Sequence, residues 1–339
     1  MDSFGRIFRV TVFGESHGSQ IGVVLDGVQP GIPLSEEDFL ADIDRRRSGA
    51  RGTTPRKESD TPIIISGVFE GHTTGAPLTV LFENNNTHSS DYSLLRNVPR
   101  PGHADYTASV KFDKANDPRG GGHFSGRLTL PIVAAGVVAK KMLVRKFEDY
   151  TVNAELLEIG GVTDKSAWPA LLDKLIAEGD SVGGIVECTA IDIPVGLGEP
   201  LFDSTESLLS HAIFSIPGVR GVEFGDGFKA SKMRGSEHND PIGLPDGSNI
   251  AYPVKNGAGG INGGLTNGNP LVFRVAFKPT SSIHRPQETY DFSKEEMTSL
   301  VVPGRHDVCF ALRTPVIVEA VTSIVLADLM LVDGARKTK

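Results

Sequence analysis

The chain is poor in cysteine, in tryptophan and in positive charge. Cys188 and Cys309 are the only cysteines in 339 residues. They stand far apart and match no CxxC or zinc-ligand spacing, which excludes a disulfide-stapled secreted scaffold and a structural zinc site. A formal net charge of -8 excludes diffuse binding to nucleic acid or to an anionic membrane, since both rely on an excess of Lys and Arg. No basic segment followed by an apolar stretch follows Met1, so the expectation is a cytoplasmic protein without a secretory leader. The most apolar run, Pro315 to Val332, carries Glu319 and Asp328. An ionised group at mid-bilayer costs a few kcal/mol or more, so this run is expected to be a buried core helix.

Glycine and proline are what the chain has in excess, at 39 and 21 residues. That is too little for a low-complexity chain, and the 39% hydrophobic content suffices for a core. Length divided by about 150 gives a soft prior of two domains, with one large domain as the alternative. Residues Phe8 to Phe13 and Ile21 to Leu25 read as strands. Ser35 with the acids after it reads as a helix start. Residues 62–67 and 77–82 read as two strands around a Gly/Thr turn. Asn84 to Arg119 is polar and aperiodic, the mark of a long functional excursion. Leu128 to Phe147 and Trp168 to Ala177 have helical spacing, while Gly183 to Ile193 and Leu271 to Phe277 read as strands. Residues 223–269 are expected to form loops or a lid. Hairpins mixed with long helices, without regular βα alternation, give an α+β class with long functional loops. A Gly-rich loop before a long apolar element in each half hints at internal duplication.

The candidate chemistry sits in loops. Gly14-Glu15-Ser16-His17-Gly18 places a Ser-His pair between glycines, which let the backbone turn sharply beside a ligand. Adjacent residues do not align as nucleophile and base, and no GxSxG elbow occurs, so a serine hydrolase is not expected. Alone, such a pair is more often structural. Arg45-Arg46-Arg47 with Arg51, Arg56 and Lys57 runs from a helix end into a Gly loop and suits bidentate grip of phosphate or carboxylate. Arg100-Pro101-Gly102-His103-Ala104-Asp105 sets another histidine in a rigid turn. Arg119-Gly120-Gly121-Gly122-His123-Phe124-Ser125 opens a helix, presenting N–H groups to an anion without being a P-loop or a GxGxxG fingerprint. A second Gly-rich stretch, residues 256–270, precedes a strand and then Lys278-Pro279-Thr280-Ser281-Ser282, one cation with three hydroxyls. Gly304-Arg305-His306-Asp307 follows. Together these describe an enzyme for a polyanionic substrate with a phosphate-bearing cofactor.

Taken in order, Phe13 to Gly18, Asp44 to Arg47, Arg100 to Asp105, Arg119 to Gly122, Gly221 to Gly225, Gly259 to Ile261, Lys278 to Ile283 and Gly304 to Asp307 resemble the chorismate synthase family over nearly the whole chain. The resemblance implies one domain over residues 1–339 with a layered β-α-β sandwich core, assembled as a homotetramer. It implies 5-enolpyruvylshikimate 3-phosphate as substrate, a 1,4-anti elimination of phosphate to chorismate, and reduced FMN as cofactor. By position, His17 matches the general acid for the leaving phosphate and His103 the histidine serving reduced FMN. Asp307 matches the acid involved in removing the C6 hydrogen, and Ser16 and Ser125 match assisting hydroxyls. FMN contacts would come from His123, Phe124, Ser125, Pro217, Gly218, Gly263, Lys278, Pro279, Thr280, Ser281, Ser282 and Arg305. Arg46 and Arg51 match substrate-side arginines. Where some members have Arg-Ser-Ser after the triple glycine, this chain has His123-Phe124-Ser125, so the first two contacts are expected through backbone. His284 to Thr298 matches no family segment. No reductase domain is recognisable, so reduced flavin comes from an external source. The rival readings are a flavin- or nicotinamide-dependent oxidoreductase acting on a phosphorylated carboxylate, and a non-catalytic phospho-ligand-binding protein.

Overall fold

The computed structural model describes residues 2–54, 59–85, 94–244, 251–304 and 306–336. Two antiparallel sheets carry most of the strand content. The first contains β1 (Ser3–Phe4), β2 (Arg9–Gly14), β3 (Gln20–Asp26), β4 (Ile63–Ser66) and β5 (Leu78–Glu83), in the order β1-β2-β3-β5-β4. Alternation sets its faces: Ile21, Val23 and Leu25 are buried, and Val23 stands opposite Val12 on one side and Val80 on the other. The second contains β6 (Thr151–Ile159), β7 (Gly184–Ile191), β8 (Val219–Phe224) and β9 (Leu271–Phe277), in the order β8-β9-β7-β6. Along β9, Leu271, Phe273, Val275 and Phe277 are buried at every second position.

Six helices of seven or more residues accompany the sheets among the described residues: α1 (Glu37–Arg46), α2 (Asp105–Lys111), α3 (Thr129–Lys146), α4 (Trp168–Glu178), α5 (Thr205–Ile213) and α6 (Pro315–Arg336). Helix α3 lies on β3 and β5, α6 lies on β6 and β7, and the two helices pack along each other. They approach closely because Gly136 of α3 faces Ala320 of α6, where a Cβ would overlap the Ala320 backbone and methyl group. One apolar cluster runs continuously from Phe8 through both helices to Met330.

Helix α6 is apolar enough to cross a membrane by length and composition, yet it is mostly buried against protein. Its two buried carboxylates, Glu319 and Asp328, are satisfied inside the core. Glu319 accepts from Arg45 Nη1 and Nη2 (2.7 and 2.6 Å), from Lys140 Nζ (3.4 Å) and from the Ala154 N–H (2.8 Å). Asp328 accepts from the N–H groups of Arg6, Ile7 and Phe8 at 2.8–3.0 Å. Burial pushes the Cys188 thiol up to about 12 and the Cys309 thiol up to about 11, which leaves both as inert core groups near neutral pH.

The strongly periodic segments form as the spacing predicts, and the α+β class holds. Helix α1 starts slightly later than expected, with Glu36 at its cap, and Asp38 accepts the Ser35 N–H (2.9 Å). The aperiodic excursion after Asn84 contains α2, and residues 86–93 of it lie outside the described residues. Strand β6 escapes a periodicity reading because a register shift between Leu156 and Glu158 breaks its alternation. Residues 284–298, to which sequence reasoning assigned no counterpart, supply most of a hairpin, Gln287–Asp291 paired with Glu296–Leu300.

Gly136→Ala is expected to destabilise the protein by about 1–3 kcal/mol through overpacking at Ala320. Combining it with Ala320→Gly should recover part of that loss in denaturant titrations. Strict additivity of the two changes would show that the helices do not meet there.

Candidate functional site

Loops from both halves of the chain converge on a cleft of about 1160 Å³. Its walls are the turn after β2 at Ser16, the end of α1 at Arg46 and Arg47, the Arg100–Ala104 turn, and the segment before α3. Residues 214–220, 278–282 and 306–313 complete them. Pockets for a single drug-sized ligand run to about 300–1,000 Å³, so this cleft has room for a cofactor and a substrate together. In an acidic protein the lining is cationic: among the described residues, Arg46, Arg47, Arg100, Arg127, Arg220, Lys278 and Arg313 face only Asp60 and Asp307.

Three consecutive glycines organise one wall. Gly120, Gly121 and Gly122 have φ of 60°, 84° and 54°, a left-handed run that residues with a Cβ rarely adopt. Their missing side chains are filled by others. A Cβ on Gly120 would fall 2.6–2.8 Å from His17 Cδ2, His17 Nε2 and Ser16 Oγ, and one on Gly121 would fall 3.2–3.3 Å from the His103 ring. On Gly122 it would overlap the Asp117 carbonyl. The Ser16 N–H donates to the Gly122 carbonyl (3.1 Å), and His123 bridges the Gly14 carbonyl and Asp2 Oδ1, each at 2.8 Å. The Ser-His turn and the triple glycine, separated by a hundred residues, are therefore one structure. Ser16 lines the cleft, whereas His17 is buried just behind it.

His103 reaches the cleft on a turn braced by ion pairs. Asp105 Oδ1 lies 2.6 Å from His103 Nδ1, while Arg100 donates to Asp105 from Nε (2.7 Å), Nη2 (2.8 Å) and its backbone N–H (3.1 Å). Burial opposes ionisation of Asp105, but the bonds from Arg100 and His103 outweigh it and hold the carboxyl well below the usual carboxylate range. Arg100 Nη1 also donates to Ser282 Oγ (3.0 Å), joining this turn to the 278–282 segment. There Lys278 Nζ donates to Ser281 Oγ (2.6 Å), and burial with nearby Arg220 lowers its pKa. The Thr280 hydroxyl oxygen is shielded from solvent and has no partner among the described residues.

Asp307 is fixed by the Thr54 N–H (2.8 Å) and by Arg313 Nη1 (3.1 and 3.3 Å). Arg46 is 2% exposed. It donates to Thr129 Oγ1 (2.9 Å) and to the carbonyls of Gly126 (3.1 Å) and Arg127 (3.3 Å), and it pairs with Asp60 at 3.6 Å. Asp60 is shared with Arg127, and although burial works against its charge, Arg127 and Arg46 keep its pKa lowered.

Of the residues expected at the site, Ser16, Arg46, His103, His123, Phe124, Ser125, Pro217, Gly218, Lys278, Pro279, Thr280, Ser281, Ser282 and Asp307 all line the cleft. Arg51 does not: its exposed guanidinium pairs with Asp173 on α4. Gly263 does not either, because it turns a small hairpin between Ile261–Asn262 and Leu265–Thr266 with φ 61°. Arg305, like Arg56 and Lys57, lies outside the described residues. Sequence reasoning gave no site role to Arg100, Asp105, Asp60 or Arg313, although Arg100 with Asp105 and Arg313 with Asp307 pair only five and six residues apart. It took Arg47 only as part of the basic run that could grip an anion; Arg47 lines the cleft, and its buried Nε has no partner among the described residues. The signal available was their place inside the motifs: Arg47 in the arginine run, Arg100 and Asp105 in the Arg-Pro-Gly-His-Ala-Asp turn.

Comparison with known proteins follows the same pattern over the whole chain. The family profile described as chorismate synthase matches residues 8–331. The chorismate synthase of Chitinophaga pinensis is 57% identical over 98% of this chain and 97% of its own length. That of Thermococcus gammatolerans is 46% identical over 96% of this chain and 97% of its own. A crystal structure of chorismate synthase, 28% identical, covers 97% of this chain and 93% of that one with a TM-score of 0.74. With matches spanning every loop that builds the cleft, the chain belongs to the chorismate synthase family.

Proposed function

We propose that this protein converts 5-enolpyruvylshikimate 3-phosphate to chorismate, by 1,4-anti elimination of phosphate with reduced FMN in the cleft. The C–O bond to phosphate and the C6–H bond break, a new double bond forms, and no net oxidation occurs. The observation that carries this reading is the triple-glycine loop, against which Ser16, His17 and His103 are all packed at one wall of a cationic cleft.

The residues present fit a flavin nucleotide. The cleft exceeds the size of one ligand, Lys278 with the Thr280, Ser281 and Ser282 hydroxyls makes a donor set suited to phosphate, and the orphaned Thr280 oxygen lacks a partner that a ligand would provide. Phe124 and Phe310 offer apolar ring surface, and Pro217 and Gly218 bring backbone to the same wall. Bound reduced flavin lends electron density to the departing C–O bond and recovers it as the C6 hydrogen leaves.

The protein's share is grip, orientation and protons. His17 supplies the proton for the leaving phosphate, and Ser16, which lines the cleft, shares the space beside Gly120 with that ring. Ser125 Oγ accepts from the Arg127 N–H (3.2 Å), which orients this hydroxyl at the helix entrance. Asp307, its carboxylate held by Thr54 and Arg313, takes part in removing the C6 hydrogen. Arg46, held in place by Thr129 and Asp60, is joined by Arg47 and Arg220 in taking the substrate's phosphate and carboxylates, while Lys278 stays with the flavin phosphate. Reduced flavin comes from an external source, and the enzyme works in the cytoplasm as a homotetramer of single-domain chains. The helix-backed antiparallel sheets support a layered β-α-β core that arose by duplication.

Anaerobic incubation with dithionite-reduced FMN and 5-enolpyruvylshikimate 3-phosphate should release phosphate and chorismate in equal amounts while the flavin stays reduced. Stoichiometric flavin oxidation or NAD(P)H consumption would instead favour an oxidoreductase. Asp307→Asn should leave FMN and substrate binding intact in titrations and reduce turnover by roughly 100-fold or more. Unchanged turnover would remove Asp307 from the chemistry.

A further inference from the structure

His103 belongs to two walls at once. It lines the large cleft and also a small pocket of about 20 Å³ beside Gly121. The charged groups around it are Asp105 and Arg100 on its own segment, Arg96, Lys114 and Asp117 at the small pocket, and Lys278 in the cleft.

Two neighbours compete for Nδ1. Asp105 Oδ1 is 2.6 Å away and Arg100 Nη2 is 3.1 Å away. A guanidinium nitrogen can only donate, and a ring nitrogen cannot donate and accept at the same time. The shorter contact is to the carboxylate, and Arg100 Nη2 has its own acceptor in Asp105 Oδ1 at 2.8 Å, so Nδ1 carries a proton. Asp105 in turn cannot easily take that proton, because three donors of Arg100 already hold it as an anion. The opposite nitrogen, Nε2, lies along Gly121, where no side chain intervenes.

We propose that Asp105, clamped by Arg100, is a positioning residue that fixes neutral His103 as its Nδ1–H tautomer and leaves Nε2, beside Gly121, as the nitrogen that accepts a proton. This rests on the reading of His103 as the group that serves the reduced flavin. The same arginine reaches Ser282, so the orientation of the imidazole and the shape of the 278–282 segment are set by one side chain.

The test is histidine-selective nitrogen NMR on the flavin-free enzyme, with the His103 signals assigned through His103→Gln. The expected result is an Nδ1–H tautomer for neutral His103 in the unaltered enzyme. In Asp105→Asn the Nε2–H form of neutral His103 should become populated, since the anionic acceptor at Nδ1 is lost. An Nε2–H tautomer in the unaltered enzyme overturns the proposal without any variant, which covers the case that Asp105→Asn fails to fold. An unchanged pure Nδ1–H tautomer in a folded Asp105→Asn also overturns it. Failure of the reading of the reaction is distinguishable, because it would appear as no phosphate release from the unaltered enzyme and would leave these spectra unchanged.

Discussion

A buried carboxylate on an apolar helix is the constraint on which the other parts hang. Glu319 is almost fully enclosed, and each of its partners comes from a different element: Arg45 from α1, Lys140 from α3 and the Ala154 N–H from β6. Removing a single partner of such an ion pair leaves charge buried without compensation, which is strongly destabilising. Its partners therefore have little freedom to shift. Arg46, the next residue after Arg45, enters the cleft wall from that fixed point and brings Asp60 and Arg127 with it. Asp328, farther along α6, fastens the chain just before β2, and β2 ends in the glycine that begins the Ser-His turn. The cleft is thus built on loops, but the loops begin and end on a core that charge pairing has locked.

Within the cleft, backbone conformation does what side chains cannot. Three left-handed glycines in a row free the space that Ser16, His17 and His103 occupy. The arrangement trades chain entropy for close approach. It also explains why His123, though at the cleft, has both ring nitrogens committed to Gly14 and Asp2: it holds the two loops together.

Much of this was legible from the residues alone, and the losses have identifiable causes. Strand β9 declares itself because burial on one face imposes a period on the sequence, and helix α3 because its long apolar run ends in cations. The Gly, Arg and His motifs marked nearly every loop that lines the cleft. What single-sequence reasoning could not supply was pairing between distant positions. Arg46 and Arg51 look equivalent in a basic run, yet one is buried against Thr129 and Asp60 while the other sits at the surface on Asp173. Asp105 reads as the tail of a motif until Arg100 and His103 are seen to close on it. Gly263 resembles the other glycines of its stretch, and only its hairpin separates it from the cleft.

The position of α6 in the chain has a consequence for biosynthesis. This helix follows every strand of both sheets, and it is the element that backs β6 and β7. A chain leaving the ribosome therefore exposes strands of the second sheet with their inner face uncovered until Pro315 to Arg336 has emerged. The core can close only after that point, and the same late segment carries Glu319 and Asp328, the two carboxylates that fasten everything made before it. Strand-rich nascent chains held open in this way are the species that chaperones shield from aggregation.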